Sequence, residues 1–270
     1  MRILFLGDIV GKVGRDAVFQ HLPMLQDRLG LDFVIVNGEN AAHGFGITEK
    51  ICSELFDAGV DVISTGNHVW DQKEALSYIE REDRLLRPAN FPKGTPGKGA
   101  GLYQTKNGES VLVVNVMGRL FMDALDDPFA AVEKELAACP LGVAADATVI
   151  DVHCETTSEK CAMGHFADGA ASLVVGTHTH IPTADTRVLP GGTAYQTDAG
   201  MCGDYDSVIG MQKEEAVARF VRKYSSGRLQ PGEGAPTACG LVVETGAGGL
   251  ATRAHPVQVG GELREILPDW

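Results

Sequence analysis

The chain lacks a surplus of positive charge. Its 23 Lys and Arg face 36 Asp and Glu, a formal net charge of −13 over 270 residues. Coating a nucleic-acid duplex needs a broad basic face, so stable duplex binding is not expected. Long hydrophobic runs are missing too. Ile3 to Leu6 is apolar for four residues before Gly7 and Asp8 intervene, too short for a secretory core, and no run approaches the ~18 residues of a membrane span. The expectation is a cytoplasmic protein with no membrane partner. Ordered cysteine spacing is also absent. Cys52, Cys139, Cys154, Cys161, Cys202 and Cys239 are scattered, and Cys154 with Cys161 matches no zinc motif, so all six read as reduced thiols. Without internal repeats, long linkers or a composition break, residues 1–270 read as one domain. Homo-oligomer formation is left open.

Two nucleotide-binding loops are excluded by spacing. In Gly7-Asp8-Ile9-Val10-Gly11-Lys12-Val13-Gly14 three residues separate Gly7 from Gly11-Lys12, and Val13 follows the lysine. A phosphate loop needs four intervening residues and then Ser or Thr, and the dinucleotide fingerprint needs another glycine spacing. Lys12, Arg15 and the amides opening the following helix remain candidates to face an anion.

What the chain does have is an ordinary globular composition, 44% hydrophobic with 33 glycines, suited to many tight loops between strands. Short β-branched runs predict strands at Arg2–Leu6, Asp32–Val36, Val60–Ser64, Ala147–Val152 and Ser172–Thr177. Helical stretches are expected at Arg15–Leu29 with an interruption at Pro23, from the N-cap Thr48 to Asp57 with Gly59 as the stop, and near Gln72–Arg81, Pro128–Ala138 and Lys213–Tyr224. Asn107-Gly108 centres a hairpin between Leu102–Thr105 and Ser110–Val116. Thr186–Gln196, with its Pro-Gly-Gly turn, Gly240–Glu244 and Leu250–Val257 complete a β-rich end. The opening βαβαβα order predicts a layered α/β domain.

The chemistry gathers at strand ends, where open α/β sheets place ligands. Five apolar runs end in Asp8, Glu39-Asn40, Asn67-His68, His153 and His178-Thr179-His180. Any one alone is an ordinary turn; a carboxylate such as Glu39 at the edge of an apolar core is costly unless paired or metal-bound. His178 and His180, two apart in extended backbone, would point to one side. Carboxylate, amide oxygen and imidazole together suit Mn, Fe or Zn better than Ca or Mg.

The motifs GDIVG (7–11), NGENAAHGFGIT (37–48), TGNHVWD (65–71), RPANFPKGTPGKG (87–99), DVHCETTSEK (151–160), GTHTH (176–180) and DSVIGM (206–211) resemble, in order and over nearly the whole chain, the YmdB-like branch of the calcineurin-like metallophosphoesterases. The resemblance implies an α/β/β/α sandwich of two mixed sheets flanked by helices, with two metal ions, Fe or Mn foremost and Zn or Mg as alternatives. It places Asp8, Glu39, Asn40 and His180 around one metal. Glu39, Asn67, His153 and His178 surround the other, Glu39 bridging, and His68 is the catalytic histidine. Most of the superfamily carries a histidine two residues after the first Asp; Val10 stands there and Asn40 replaces it.

A small phosphodiester is the expected substrate, with 2′,3′-cyclic nucleotides such as 2′,3′-cAMP implied by the resemblance. A metal-bridging hydroxide would attack phosphorus in line between ions ~3.5–4 Å apart, His68 would protonate the leaving alkoxide, and Asp71 would hold His68 in one tautomer. A phosphomonoesterase, and a regulatory metal- and nucleotide-binding protein in RNA turnover, are the alternatives. Glu155, Ser158 and Glu159 are expected to support ligands or order loops, His43 and His165 to be loop residues, and His21 and His255 to be structural or exposed.

Overall fold

The computed structural model describes residues 1–224 and 227–269. In chain order its elements are β1 Arg2–Leu6, β2 Asp8–Ile9, α1 Gly11–Leu29, β3 Phe33–Asn37, α2 Glu49–Asp57, β4 Val62–Ser64, α3 Ala75–Tyr78, β5 Ala100–Gln104 and β6 Ser110–Met117. Then follow α4 Pro128–Ala138, β7 Ala147–His153, α5 Thr157–Phe166, β8 Leu173–Thr177, β9 Arg187–Val188, β10 Ala194–Gln196, β11 Met201–Asp204, α6 Lys213–Arg222, β12 Pro236–Thr245 and β13 Ala251–Val259.

Two mixed sheets face each other. The seven-stranded one runs β2-β11-β12-β1-β3-β4, with β13 also paired to β12; the six-stranded one runs β5-β6-β7-β8-β10-β9. β1, β3 and β4 are parallel in the first, and β6, β7, β8 and β10 in the second. Strand alternation builds the layers. Ile3, Phe5, Phe33 and Ile35 turn inward against Val111, Val113, Val149 and Val175 of the facing sheet. Leu4, Leu6, Val34 and Val36 turn outward beneath α1 and α2, and Leu112, Val114, Ile150 and Val174 lie beneath α4 and α5. The result is the four-layer α/β/β/α sandwich that the resemblance implied. Buried on both faces, its central strands read as continuous apolar runs rather than alternating ones.

The local expectations hold in most places. Thr48 accepts from the Ile51 amide as an N-cap, α4 spans Pro128–Ala138, and the Asn107-Gly108 turn joins β5 and β6 antiparallel. Four readings need correction. Pro23 does not interrupt α1, which runs unbroken to Leu29: its ring is on the exposed face, while Leu22, Leu25 and Leu29 anchor the buried one. The helix expected at Gln72–Arg81 shrinks to Ala75–Tyr78, with turns on either side. α5 has no counterpart among the expected helices, because Thr157 and Ser158 read as loop. β12 starts at Pro236, well before Gly240, and pairs with β11 as well as β1.

Candidate metal centre

The carboxyl ends of β3 and β4 in one sheet meet those of β7 and β8 in the other, and β2 completes the rim. All seven predicted ligands converge there. His153 Nε2 lies 2.9 Å from Asn67 Oδ1, 3.1 Å from Glu39 Oε1 and 3.1 Å from His178 Nδ1. On the other side His180 Nε2 lies 3.3 Å from Asn40 Nδ2 and 3.8 Å from Asp8 Oδ1. Asn40 Nδ2 also donates to Glu39 Oε1 at 3.2 Å, and Asp8 Oδ2 accepts from the His178 amide at 3.1 Å.

His178 and His180 are not in extended backbone. β8 stops at Thr177, and both residues have positive φ, 89° and 65°, a conformation uncommon for non-glycine residues and concentrated at functional sites. The turn carries the His178 ring to His153 and the His180 ring to Asn40 and Asp8, and both line one cleft.

Several features fit a bound cation. Glu39, His153 and His178 offer three ligand atoms within 4.8 Å of one another. Asp8 is fully buried, and its Oδ1 has no hydrogen-bond partner among the described residues. The outer nitrogens of the rings are already held: His180 Nδ1 donates to the Ile209 carbonyl at 2.8 Å, and His178 Nε2 lies 3.1 Å from Glu155. Such bonds fix a metal-binding imidazole so that its other nitrogen faces the ion.

Without an ion these groups lean on each other. Burial alone would raise Glu39, but the neighbouring His153 reverses this and holds the carboxyl at about 2. Burial works equally against the His153 cation, yet Glu39 and Asp8 keep the ring protonated up to about 9. His178 is pushed down to about 3 by burial and by the His153 charge. Burial drives Asp8 upward.

His68 stands apart from the ligand cluster. Its amide donates to Glu39 Oε2 at 3.1 Å, and its Nδ1 lies 2.8 Å from Asp71 Oδ2, as expected. Its side chain is 28% exposed and lines a cleft of about 350 Å³ together with Glu39, Asn40, Phe45, Glu155, His178, Thr179, His180, Ile209, Met211 and Leu229. The Phe45 ring meets His68 edge-on at 5.1 Å.

The anion-facing expectation for Lys12 and Arg15 is not met at this cleft. Lys12 pairs with Asp16, and the Arg15 guanidinium donates to the Ala41 carbonyl. No Lys or Arg lines the cleft among the described residues. Glu159 orders the neighbouring loop, accepting from the amides of Arg119 and Leu120, whereas Glu155 supports His178. All six cysteines are free thiols. His43 lies in a loop with φ 54° and His165 on the exposed part of α5.

Sequence reasoning missed the polar network beneath the ligands. Asp151 accepts from Asn37, Ser64 and Thr177, all fully buried, and burial pushes its carboxyl up to about 6. Lys160, also buried, pairs with Asp198 at 2.7 Å, and Asp198 accepts from the Thr179 hydroxyl and amide, bracing the strained turn. The available signal was an acid within the apolar run of β7, on the same face as His153 by strand alternation.

The fold and the strand-end cluster define a two-sheet sandwich with a candidate metal centre. A family model for YmdB-like proteins matches residues 4–257, and the chain belongs to that family. It is 49% identical over 247 residues to the 2′,3′-cyclic-nucleotide 2′-phosphodiesterase of Bacillus subtilis, covering 90% of this chain and 91% of that protein. A crystal structure of a hypothetical protein from Thermus thermophilus superposes with a TM-score of 0.90 at 44% identity, covering 97% of this chain and 100% of that one. A crystal structure described as a novel phosphatase from Mycoplasma pneumoniae gives 0.89 at 31% identity, covering 96% and 93%. No described helix is long and apolar enough to cross a membrane.

Proposed function

We propose that the chain, as a single domain, is a metal-dependent phosphodiesterase acting on small phosphodiesters, with 2′,3′-cyclic nucleotides as the substrate class. The observation that carries this reading is the cleft itself: seven carboxylate, amide and imidazole groups converge where, among the described residues, no lysine or arginine lines the cleft to hold an anion. The name of the Bacillus subtilis relative supports the substrate class.

Asp8, Asn40 and His180 form one half of the ligand set and Asn67, His153 and His178 the other, with Glu39 shared between them. Two ions, Mn, Fe or Zn by the donor chemistry with Fe or Mn foremost, would occupy these halves. When bound, divalent ions supply the missing positive charge, polarise phosphoryl oxygens and make water a usable nucleophile at neutral pH. The chain's own groups do the rest. His68, held at Nδ1 by Asp71, presents its other nitrogen to the cleft and donates the proton that the departing ribose oxygen needs. Phe45 and Leu229 wall the cleft beside it and restrict water.

A panel of cyclic and linear phosphodiesters and phosphomonoesters, assayed with Mn²⁺ or Fe²⁺, tests the reading. Hydrolysis of 2′,3′-cAMP well above the monoesters is the expected result. A preference for monoesters would favour a phosphatase, in line with the name of the Mycoplasma pneumoniae structure. Binding without turnover across the panel would favour a regulatory nucleotide-binding role.

A further inference from the structure

One buried acid has no place in that ligand set. Asp151 lies on β7, and Asp151 Oδ2 accepts from the Ser64 hydroxyl at 2.5 Å and from Asn37 Nδ2 at 3.0 Å. Its Oδ1 accepts from the Thr177 hydroxyl at 2.7 Å, and Thr177 Oγ1 is 3.0 Å from His153 Nδ1. The three donors aimed at it mark Asp151 as the ionised, acceptor-only member of the chain. A hydroxyl has one proton, so the order is forced: Thr177 donates to Asp151, and its oxygen then accepts from Nδ1–H of His153.

We propose that Asp151 is a positioning residue that acts through Thr177: it keeps the His153 proton on Nδ1 and leaves Nε2 as the nitrogen that faces a divalent cation. The proposal rests on the metal-site reading above and adds a group outside the ligand set. Nε2 is the nitrogen that points at Asn67, Glu39 and His178, so the opposite tautomer would put a proton where the ligand lone pair is needed.

Asp151→Asn reverses the order. Ser64 and Asn37 both donate on one side of residue 151 and Thr177 alone on the other. The amide oxygen therefore takes the two-donor side, and the amide nitrogen donates to Thr177. Thr177 must then donate to His153 Nδ1, which puts the neutral ring's proton on Nε2. Thr177→Val breaks the relay without changing side-chain shape, whereas Thr177→Ser keeps the hydroxyl and loses a methyl group. A packing role for Thr177 ranks Val above Ser; the relay ranks Ser above Val.

The test is titration of the metal-free full-length protein with Mn²⁺, followed by calorimetry and by loss of the free-ion paramagnetic resonance signal. Asp151→Asn and Thr177→Val should each weaken Mn²⁺ affinity by about 10–100-fold, the usual effect of losing such a supporting bond. Thr177→Ser should stay close to wild type, and the Asp151→Asn/Thr177→Val double variant should be no weaker than the worse single variant. Wild-type affinity in either single variant, or losses that multiply in the double variant, would overturn the proposal. If Asp151→Asn does not fold, the Thr177 pair decides alone: loss in Val with retention in Ser supports the relay, and any other pattern overturns it. Failure of the wild-type protein to take up Mn²⁺ would overturn the metal-site reading as well, a result distinct from uptake that the variants leave unchanged.

Discussion

Gly66→Ala adds one methyl group at the point where the chain passes closest to the ligand cluster. A Cβ on Gly66 would lie 2.2 Å from His153 Cδ2, 2.3 Å from His153 Nε2 and 2.4 Å from Glu39 Oε2. Non-bonded heavy atoms settle at about 3.5–4.0 Å, so His153 and Glu39 must withdraw by roughly 1 Å or more. Both are tethered against doing so. Both are fully buried; Glu39 is tied to the His68 amide and Asn40, and His153 to Thr177. Gly66 is not among the positive-φ glycines, so alanine suits its backbone and the effect is steric alone. Overpacking of this kind costs about 1–3 kcal/mol, a fall of roughly 2–12 °C in unfolding midpoint for a chain of this size. The effect on function should be larger, because a shift of about 1 Å in reacting groups can cost about 100-fold in rate. Circular-dichroism melts, Mn²⁺ titration and turnover of 2′,3′-cAMP measure the three quantities. A folded Gly66→Ala protein with wild-type Mn²⁺ affinity and wild-type turnover would refute the account of the cluster.

Three further outcomes are expected. His68→Gln should lower kcat by about 10²–10⁴-fold while leaving bound metal unchanged by elemental analysis; parallel loss of metal would make His68 a ligand. Asp71→Asn should lower kcat less than His68→Gln does, since it frees the ring without removing it; a larger loss would give Asp71 a direct role. In the metal-free protein, His153 is raised to about 9 and Glu39 lowered to about 2. The raised base contributes stability below about 6.5 that is lost as pH rises through 9, and the depressed acid contributes stability above about 4.5 that is lost as pH falls through 2. Above about pH 6.5, where His178 is neutral, the advantage in unfolding midpoint of the metal-free wild type over His153→Asn should therefore shrink as pH rises towards 9. A constant advantage up to pH 9.5 would contradict the pairing.

The candidate ligands were legible because each follows a short apolar strand, and the sheet topology then has to bring those strand ends together. Asp8, Glu39, Asn67 and His153 needed nothing more than that rule and the ordered motifs. The His178-Thr179-His180 turn escapes the pattern because strand alternation does not carry past Thr177, where the backbone turns to positive φ. Asn37, Ser64 and Thr177 look like ordinary strand residues in the sequence, since their value lies in contacts that no local pattern displays, whereas Asp151 stood out only as an acid inside an apolar run. Pro23 shows the converse: a strong local breaker was overridden by Leu22, Leu25 and Leu29 packing on the opposite face of α1.

Metal content and turnover measured on the same sample test the central claim most directly. Protein purified without chelator should carry close to two Fe or Mn per chain and hydrolyse 2′,3′-cAMP. Chelation should remove both properties together, and adding Mn²⁺ should restore them together. Undiminished hydrolysis by protein shown to be free of metal would contradict the account.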